Sequence, residues 1–190
     1  MKPRPLATLL APFFLCIAVS AQTHTFHDPT YHVAFDYPAP WTLSRTDGEI
    51  STFHLDARSA PKSSLMRAVV AMPENPFPAS TFSGAYVYFS VTPRSTEAAC
   101  TRQAGAVAQT TQIAGIPFTR AHDEQKDICT TQRDEVYTTF RRGACYRFDL
   151  AINNFCGAED SHVKDITTAE LDQVRNRLQS ILSTFRFDPK

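Results

Sequence analysis

The stretch from Val136 to Ile152 constrains this chain more than any other. Val136 to Arg142 is rich in aromatic and β-branched residues, Ala144 to Ile152 is rich in apolar ones, and the two runs meet at Arg142-Gly143. Strand-like runs this close form an antiparallel hairpin, with Arg142 and Gly143 as a two-residue turn. The turn sets the register. Arg141 opposes Ala144, and Phe140 opposes Cys145. Continued outward, the same register sets Cys129 against Cys156. Directly opposed strand residues have Cβ atoms about 4.5–5.5 Å apart, near disulfide reach. Cys145 faces Phe140 and needs a partner elsewhere, which leaves Cys100. On the returning strand Tyr146, Phe148, Leu150 and Ile152 share one face.

The cysteine argument depends on what the first residues are. Lys2 and Arg4 precede an apolar run from Leu6 to Ala18, and Val19-Ser20-Ala21 offers a small-residue cleavage site. The run is shorter than the roughly 20 residues a spanning helix needs. Leu15 stands directly before Cys16, where a lipidation site wants a small residue. The expectation is a cleaved signal peptide over 1–21, with the cut between Ala21 and Gln22. A single α+β domain over 22–190 follows, with no membrane span, exported to the periplasm or outside the cell. Cleavage removes Cys16 and leaves Cys100, Cys129, Cys145 and Cys156. Four cysteines in an exported chain read as two disulfides with three possible pairings, of which the register favours Cys129–Cys156 and Cys100–Cys145. No C-x-x-C knuckle or paired histidine spacing points to zinc.

Lys and Arg total 19, as do Asp and Glu, so the formal net charge is zero. Losing Lys2 and Arg4 leaves the remainder mildly acidic. A nucleic-acid binder held by phosphate neutralisation would carry a basic surplus. Charged residues at 20% and hydrophobic residues at 43% argue against global disorder.

Elsewhere, strand patterns dominate. Tyr31, Val33, Phe35 and Tyr37 alternate with polar residues, and Pro38-Ala39-Pro40 ends that strand before Trp41. Glu49 to Ala57 alternates with Phe53 and Leu55 on one face. Ala68 to Met72 is a short apolar strand, and residues 73–83 hold three prolines in a loop. Gly84 to Thr92 is apolar on both faces, as a covered central strand would be. Ser95 or Thr96 caps a predicted helix to about Thr110, with a face of small residues. Ile113 to His122 reads as a strand, and 123–134 as a charged loop. Thr167 and Glu170 form a capping box before an amphipathic helix bearing Leu171, Val174, Leu178, Ile181, Leu182 and Phe185. Phe185-Arg186-Phe187 reads as a terminal strand. Consecutive strands broken by two helices make an α+β antiparallel pattern.

Three phrases resemble the superfamily that includes the photosystem II extrinsic protein PsbP and its bacterial relatives. They are Tyr31 to Trp41 (Tyr-x-Val-x-Phe-x-Tyr-Pro-x-x-Trp), a central helix before Gly115-Ile116-Pro117-Phe118, and a terminal helix ending in Ser183-x-Phe185-x-Phe187. The resemblance implies an antiparallel β-sheet sandwiched between helices. It implies no catalytic residues, and photosystem function does not follow from it.

The residues themselves offer few sites. His24, His27 and His32 cluster near Gln22 as candidate metal ligands, against a solvated-segment reading. His122 and Asp123 are adjacent in a strand and point to opposite faces. His54 and Asp56 share a face, and His162 lies in a charged loop. There is no Gly-x-Ser-x-Gly elbow and no Gly-rich phosphate loop. Paired cysteines leave no thiol nucleophile. No cofactor is indicated. Beyond residue 21 the chain has 13 Arg against 4 Lys. Arg141 and Arg142 at the hairpin tip, with Arg147, form a candidate anion-contact surface. The alternative is strand-face ion pairing with Asp134, Glu135 or Asp149. Trp41 is a further candidate surface residue, and Tyr86 and Tyr88 a further pair, against core packing.

These observations lead to an exported, non-enzymatic domain that binds a protein or small ligand through its sheet or loops. A hydrolase or metal-dependent enzyme using His54, His122 and carboxylates is a second reading. A structural envelope component held by its arginine hairpin is a third.

Overall fold

A computed structural model describes residues 22–45, 63–105, 108–127, 130–155 and 162–189. In chain order these form β1 (Thr23–Asp28), β2 (Val33–Pro38), β3 (Thr42–Ser44), β4 (Leu65–Ala71) and β5 (Phe82–Thr92). Then come α1 (Glu97–Gln103), β6 (Gln109–Ile113), β7 (Ile116–Asp127), β8 (Thr130–Arg141), β9 (Ala144–Phe155), α2 (Thr168–Leu182) and β10 (Arg186–Phe187). A seven-stranded sheet has the order β3-β4-β5-β9-β8-β7-β6, and a three-stranded sheet the order β1-β2-β10. The named ladders pair antiparallel.

The turn joining β8 to β9 places Arg142 at φ 51° and Gly143 at φ 75°. Two positive φ values in succession are what a two-residue turn matched to strand twist demands. Its register runs without a shift from Arg141↔Ala144 to Thr130↔Phe155. Both predicted cysteine pairs bear on this ladder. Cys100 and Cys145 are joined in a disulfide with Cα atoms 5.2 Å apart, tying α1 to the first turn of β9. Cys129 and Cys156 lie outside the described residues, as do 1–21 and the alternating segment 49–57.

Period-2 alternation gives β9 two unlike faces. Tyr146, Phe148, Leu150 and Ile152 belong to the main core, with Val87, Phe89 and Val91 of β5 beside them. Onto this face pack α2, through Val174, Leu178, Ile181 and Leu182, and the small sheet, through Phe26, Val33 and Phe35. Ring centroids of Phe89 and Phe148 are 4.7 Å apart, Phe148 and Phe185 5.1 Å, and Phe35 and Phe148 5.7 Å. The opposite face presents Cys145, Arg147, Asp149 and Ala151, all buried.

The layering differs from a sheet held between helices. Among the described residues one face is closed by α2 together with a second sheet, and the other carries only the seven-residue α1. The central helix is also shorter than its pattern suggests. Thr96 caps it, accepting from the Ala99 N–H. Gly105, at φ 117°, then takes a conformation open mainly to glycine and ends it. The residues read as its last turn form β6, and Ala114-Gly115 turns the chain into β7. Residues 123–127 and 130–134 are strand rather than loop: β7 and β8 extend through them with Asp123↔Asp134 and Asp127↔Thr130 in register. Charged composition misled there because composition does not reveal backbone pairing. The α2 capping box is present, Thr167 accepting from the Glu170 N–H and Glu170 from the Thr167 N–H.

Replacing Cys100 and Cys145 together by alanine is expected to cost about 2–4 kcal/mol, through loss of the cross-link's restriction on the unfolded chain. Urea denaturation of the double variant beside the parent measures it.

Candidate functional site

Arginine collects at one end of the large sheet. Arg141 and Arg142 close β8, and Arg94 sits in the turn after β5. The Ser95 N–H donates to the Gly143 carbonyl at 2.9 Å, locking those two turns together. Arg94, at φ 53°, and Arg142 both adopt the left-handed region, as does His32, at φ 51°, in the β1–β2 turn. That conformation costs a non-glycine residue about 1–2 kcal/mol. Among the described residues, three of the four non-glycine residues at positive φ thus lie at this end; the fourth is Ala114. Strain of this kind gathers where surrounding structure enforces it, and often at functional sites.

Aromatic rings support the arginines. The Arg141 guanidinium lies 4.1 Å over the Phe187 ring. Phe187 meets Tyr146 edge-on at 5.0 Å, and Tyr146 meets Tyr31 at 6.3 Å. Arg67 stands 5.3 Å over Tyr31, and Arg45 5.1 Å over Phe26. Stacking holds a guanidinium flat without consuming its charge. Burial pushes the Tyr146 phenol up, against the pull of Arg141 and Arg142.

Negative charge at this end is already engaged. Asp28 is fully buried and takes Arg67 Nε at 2.5 Å, with the Thr30 and Tyr31 N–H groups on its other oxygen. Burial alone would raise the Asp28 carboxyl, but Arg67 and those backbone donors outweigh it and hold it low. Asp188 faces His27 Nε2 at 2.7 Å. Among the described residues no carboxylate pairs with Arg94, Arg141 or Arg142. These three guanidiniums form the strongest candidate surface.

Arg147 does not join them. It is on the opposite face of β9 from Tyr146, 1% exposed, with Nη2 2.6 Å from Asp149 Oδ1 and Nη1 2.9 Å from the Gln103 carbonyl. The strand-face ion pair is therefore the observed arrangement for this residue. Strand alternation explains it, since residues two apart share a face. Trp41 is 9% exposed within the main core and Tyr88 is fully buried, so neither presents a binding surface. The candidate metal histidines do not converge. His24 packs on Tyr37 at 5.7 Å, His27 faces Asp188, and His32 sits in the turn. Among the described residues no three His, Cys, Asp or Glu side chains gather as a metal site. His54 and Asp56 lie outside the described residues, and nothing is described of the Asp123 and Glu124 side chains.

Sequence reasoning missed a second ionic cluster as a cluster, although Glu135 was named as an ion-pair candidate. Glu135, on β8, accepts from Arg120 Nη2 at 3.0 Å, Arg175 Nε at 2.9 Å, Tyr137 OH at 2.7 Å and Gln179 Nε2 at 3.0 Å. Burial would raise the Glu135 carboxyl, but Tyr137, Gln179 and Arg120 more than compensate and hold it below its ordinary range. Burial and that carboxylate push the Tyr137 phenol strongly up. His122 is largely exposed, 3.9 Å from the same carboxylate. A carboxylate with four donors is saturated, and it makes a poor partner for a catalytic base. The cluster joins the sheet to α2, and alternation placed Glu135 and Tyr137 on one face from the start.

No protein-family model matches this chain. No curated protein matches it. Among solved structures it is similar to cyanobacterial PsbP (CyanoP) from Synechocystis over 93% of this chain and 99% of that one, with TM-score 0.50 and 15% identity. The fold is PsbP-like. A Bacteroides thetaiotaomicron protein is similar over 87% of this chain and 48% of its own length, with TM-score 0.48 and 11% identity. LpqN of Mycobacterium tuberculosis, described as involved in cell envelope biogenesis, matches over 88% and 91%, with TM-score 0.46 and 9% identity. At these identities the PsbP-like fold is shared and nothing about residue roles is carried with it.

Two outcomes are expected. Asp149→Ala strands a buried guanidinium and costs about 3–5 kcal/mol, whereas the double change Arg147→Met with Asp149→Leu costs far less; thermal and urea melts distinguish them. The Asp28 and Glu135 carboxyls are held below their unfolded values. Their stabilisation is therefore present above the ordinary carboxylate range and is lost as pH falls through the depressed folded values. Melting temperature should drop as pH falls below about 5, and less steeply in Glu135→Gln.

Proposed function

We propose that this chain is an exported binding domain that docks an acidic protein surface on Arg94, Arg141 and Arg142. The observation that carries the reading is the triad itself: three guanidiniums on two bonded turns, two of them at positive φ, none paired with a described carboxylate. A guanidinium offers five donors in a rigid fork that fits carboxylates bidentately. None of the three arginines lines the grooves beside α1 or beside Pro76 to Ser80. A hairpin tip projects, and a projecting charged tip suits a macromolecular surface better than a small molecule, which needs concavity. The PsbP-like fold is compatible with an extrinsic, docking role. Export is supported by the leader-like residues 1–21 and by the Cys100–Cys145 disulfide. On this reading residues 22–190 are one domain, and the leader is cut between Ala21 and Gln22.

The hydrolase reading has less support, since His122 sits beside a carboxylate that two arginines, a tyrosine and a glutamine already hold. The envelope-component reading would use the same arginine surface.

Poly-L-glutamate serves as a defined acidic probe. Binding should weaken steeply as salt rises, because exposed charge pairs are screened within roughly 10 Å at 0.1 M. Changing Arg94, Arg141 and Arg142 to Glu should weaken binding about tenfold or more, with the melt preserved. Equal binding by the triple variant would sink the proposal. Mass spectrometry of the same exported preparation is expected to find Gln22 as the first residue.

A further inference from the structure

β6 is the outer strand of the large sheet. Its five residues, Gln109 to Ile113, carry no charge and no proline. Strand edges are normally protected by lysine, proline, a bulge or extreme shortness. The opposite edge, β3, has three residues. Among the described residues β6 has no such guard, and its register with β7 contains no bulge, running from Gln109↔Arg120 to Ile113↔Ile116.

The turn after it fixes which backbone groups face outward. Ala114 has φ 50° and Gly115 φ 76°, so Ile113 and Ile116 close a two-residue hairpin. The closing pair of such a hairpin exchanges both hydrogen bonds, and the pattern then alternates. Gln109, Thr111 and Ile113 therefore turn their N–H and C=O groups to β7. Thr110 and Gln112 turn theirs away from the sheet.

A groove of about 290 Å³ adjoins this edge. Thr110, Thr119 and Thr138 cross its floor in register from β6 to β8, and Glu97 and Thr101 of α1 form one wall. Thr138 Oγ1 is buried there without a hydrogen-bond partner. A residue added opposite Thr110 would send its side chain to the same face as Thr110, over this groove.

We propose that β6 is a docking edge for an extended segment of a partner polypeptide, which adds as an eighth strand and places a lysine or arginine beside Glu97. The edge sets the backbone conformation of the occupant, since only a strand satisfies alternating N–H and C=O groups. The groove sets the side chain. A second copy of this chain fits less well, because β6 has no basic residue to offer Glu97. None of the triad arginines lines this groove.

The test is titration of the isotope-labelled, disulfide-bonded chain with a capped Thr-Val-Lys-Val-Thr peptide, followed by NMR. Amide shifts are expected in 109–113 and at Glu97, with hydrogen exchange of Thr110 and Gln112 slowed. Thr110→Pro removes an outward N–H and leaves the β6–β7 ladder intact, and should weaken binding about tenfold. Gln112→Pro is the second variant should the first melt lower. N-methylation of alternate peptide amides tests the same bonds without altering the protein, and should abolish the shifts. Exchanging the peptide lysine for glutamate should weaken binding severalfold. The proposal is overturned by no binding, by shifts elsewhere, or by an N-methylated peptide that binds equally. Concentration-dependent dimerisation that protects Thr110 and Gln112 without peptide would assign the edge to a second copy instead.

Discussion

Everything in this molecule is hung from the two faces of β9. One face puts Phe148 into contact with Phe35 of the small sheet, Phe89 of the neighbouring strand and Phe185 after α2. Burying large rings in mutual contact supplies the main apolar stabilisation and fixes how the second layer sits. The other face holds α1 covalently through Cys145 and by a hydrogen bond from Arg147 to the Gln103 carbonyl. A one-residue slip of β9 would exchange these faces, driving Arg147 and Asp149 among phenylalanines and turning the core rings outward. The register is therefore specified from both sides, and the tight turn at Arg142-Gly143 starts it correctly.

The same architecture explains where charge is spent. Arg147, Arg67, Arg120 and Arg175 are consumed by carboxylates inside or between layers. The fully buried Arg147–Asp149 pair orients elements rather than adding much net stability, because desolvation offsets attraction. Arg94, Arg141 and Arg142 are different, since no described carboxylate pairs with them. An arginine in a left-handed turn residue is locally unfavourable where asparagine or glycine would be comfortable. Keeping it there is consistent with a role for the side chain outside the fold.

Much of this was legible in residues 130–155 and 167–187. A period-2 pattern, a two-residue turn and a capping box are local signals, and local signals survive in the sequence. The hairpin register could be extended because no bulge interrupts β8 and β9. What could not be read were outcomes of competition between local and tertiary terms. Gln109 and Thr110 carry no apolar side chain that opposes a helix; a glycine at positive φ and pairing with β7 decided otherwise. The charged run after His122 looked like loop because polarity says nothing about backbone pairing. Of the candidate surface, Arg141 and Arg142 were visible from their place at a turn. Arg94 was not, because its neighbourhood comes from a bond between Ser95 and Gly143, far apart in sequence. For Arg147 two readings stood side by side, and strand-face ion pairing with Asp149, two residues on along one face, is the one observed.

The small sheet has a consequence for the entropy of folding. Its middle strand, β2, is flanked by the first strand on one side and the last on the other. Thr184 also reaches back to bond the Asp36 backbone. Closing this layer therefore joins groups 148 residues apart in sequence, a long loop whose closure entropy the packed layers must offset.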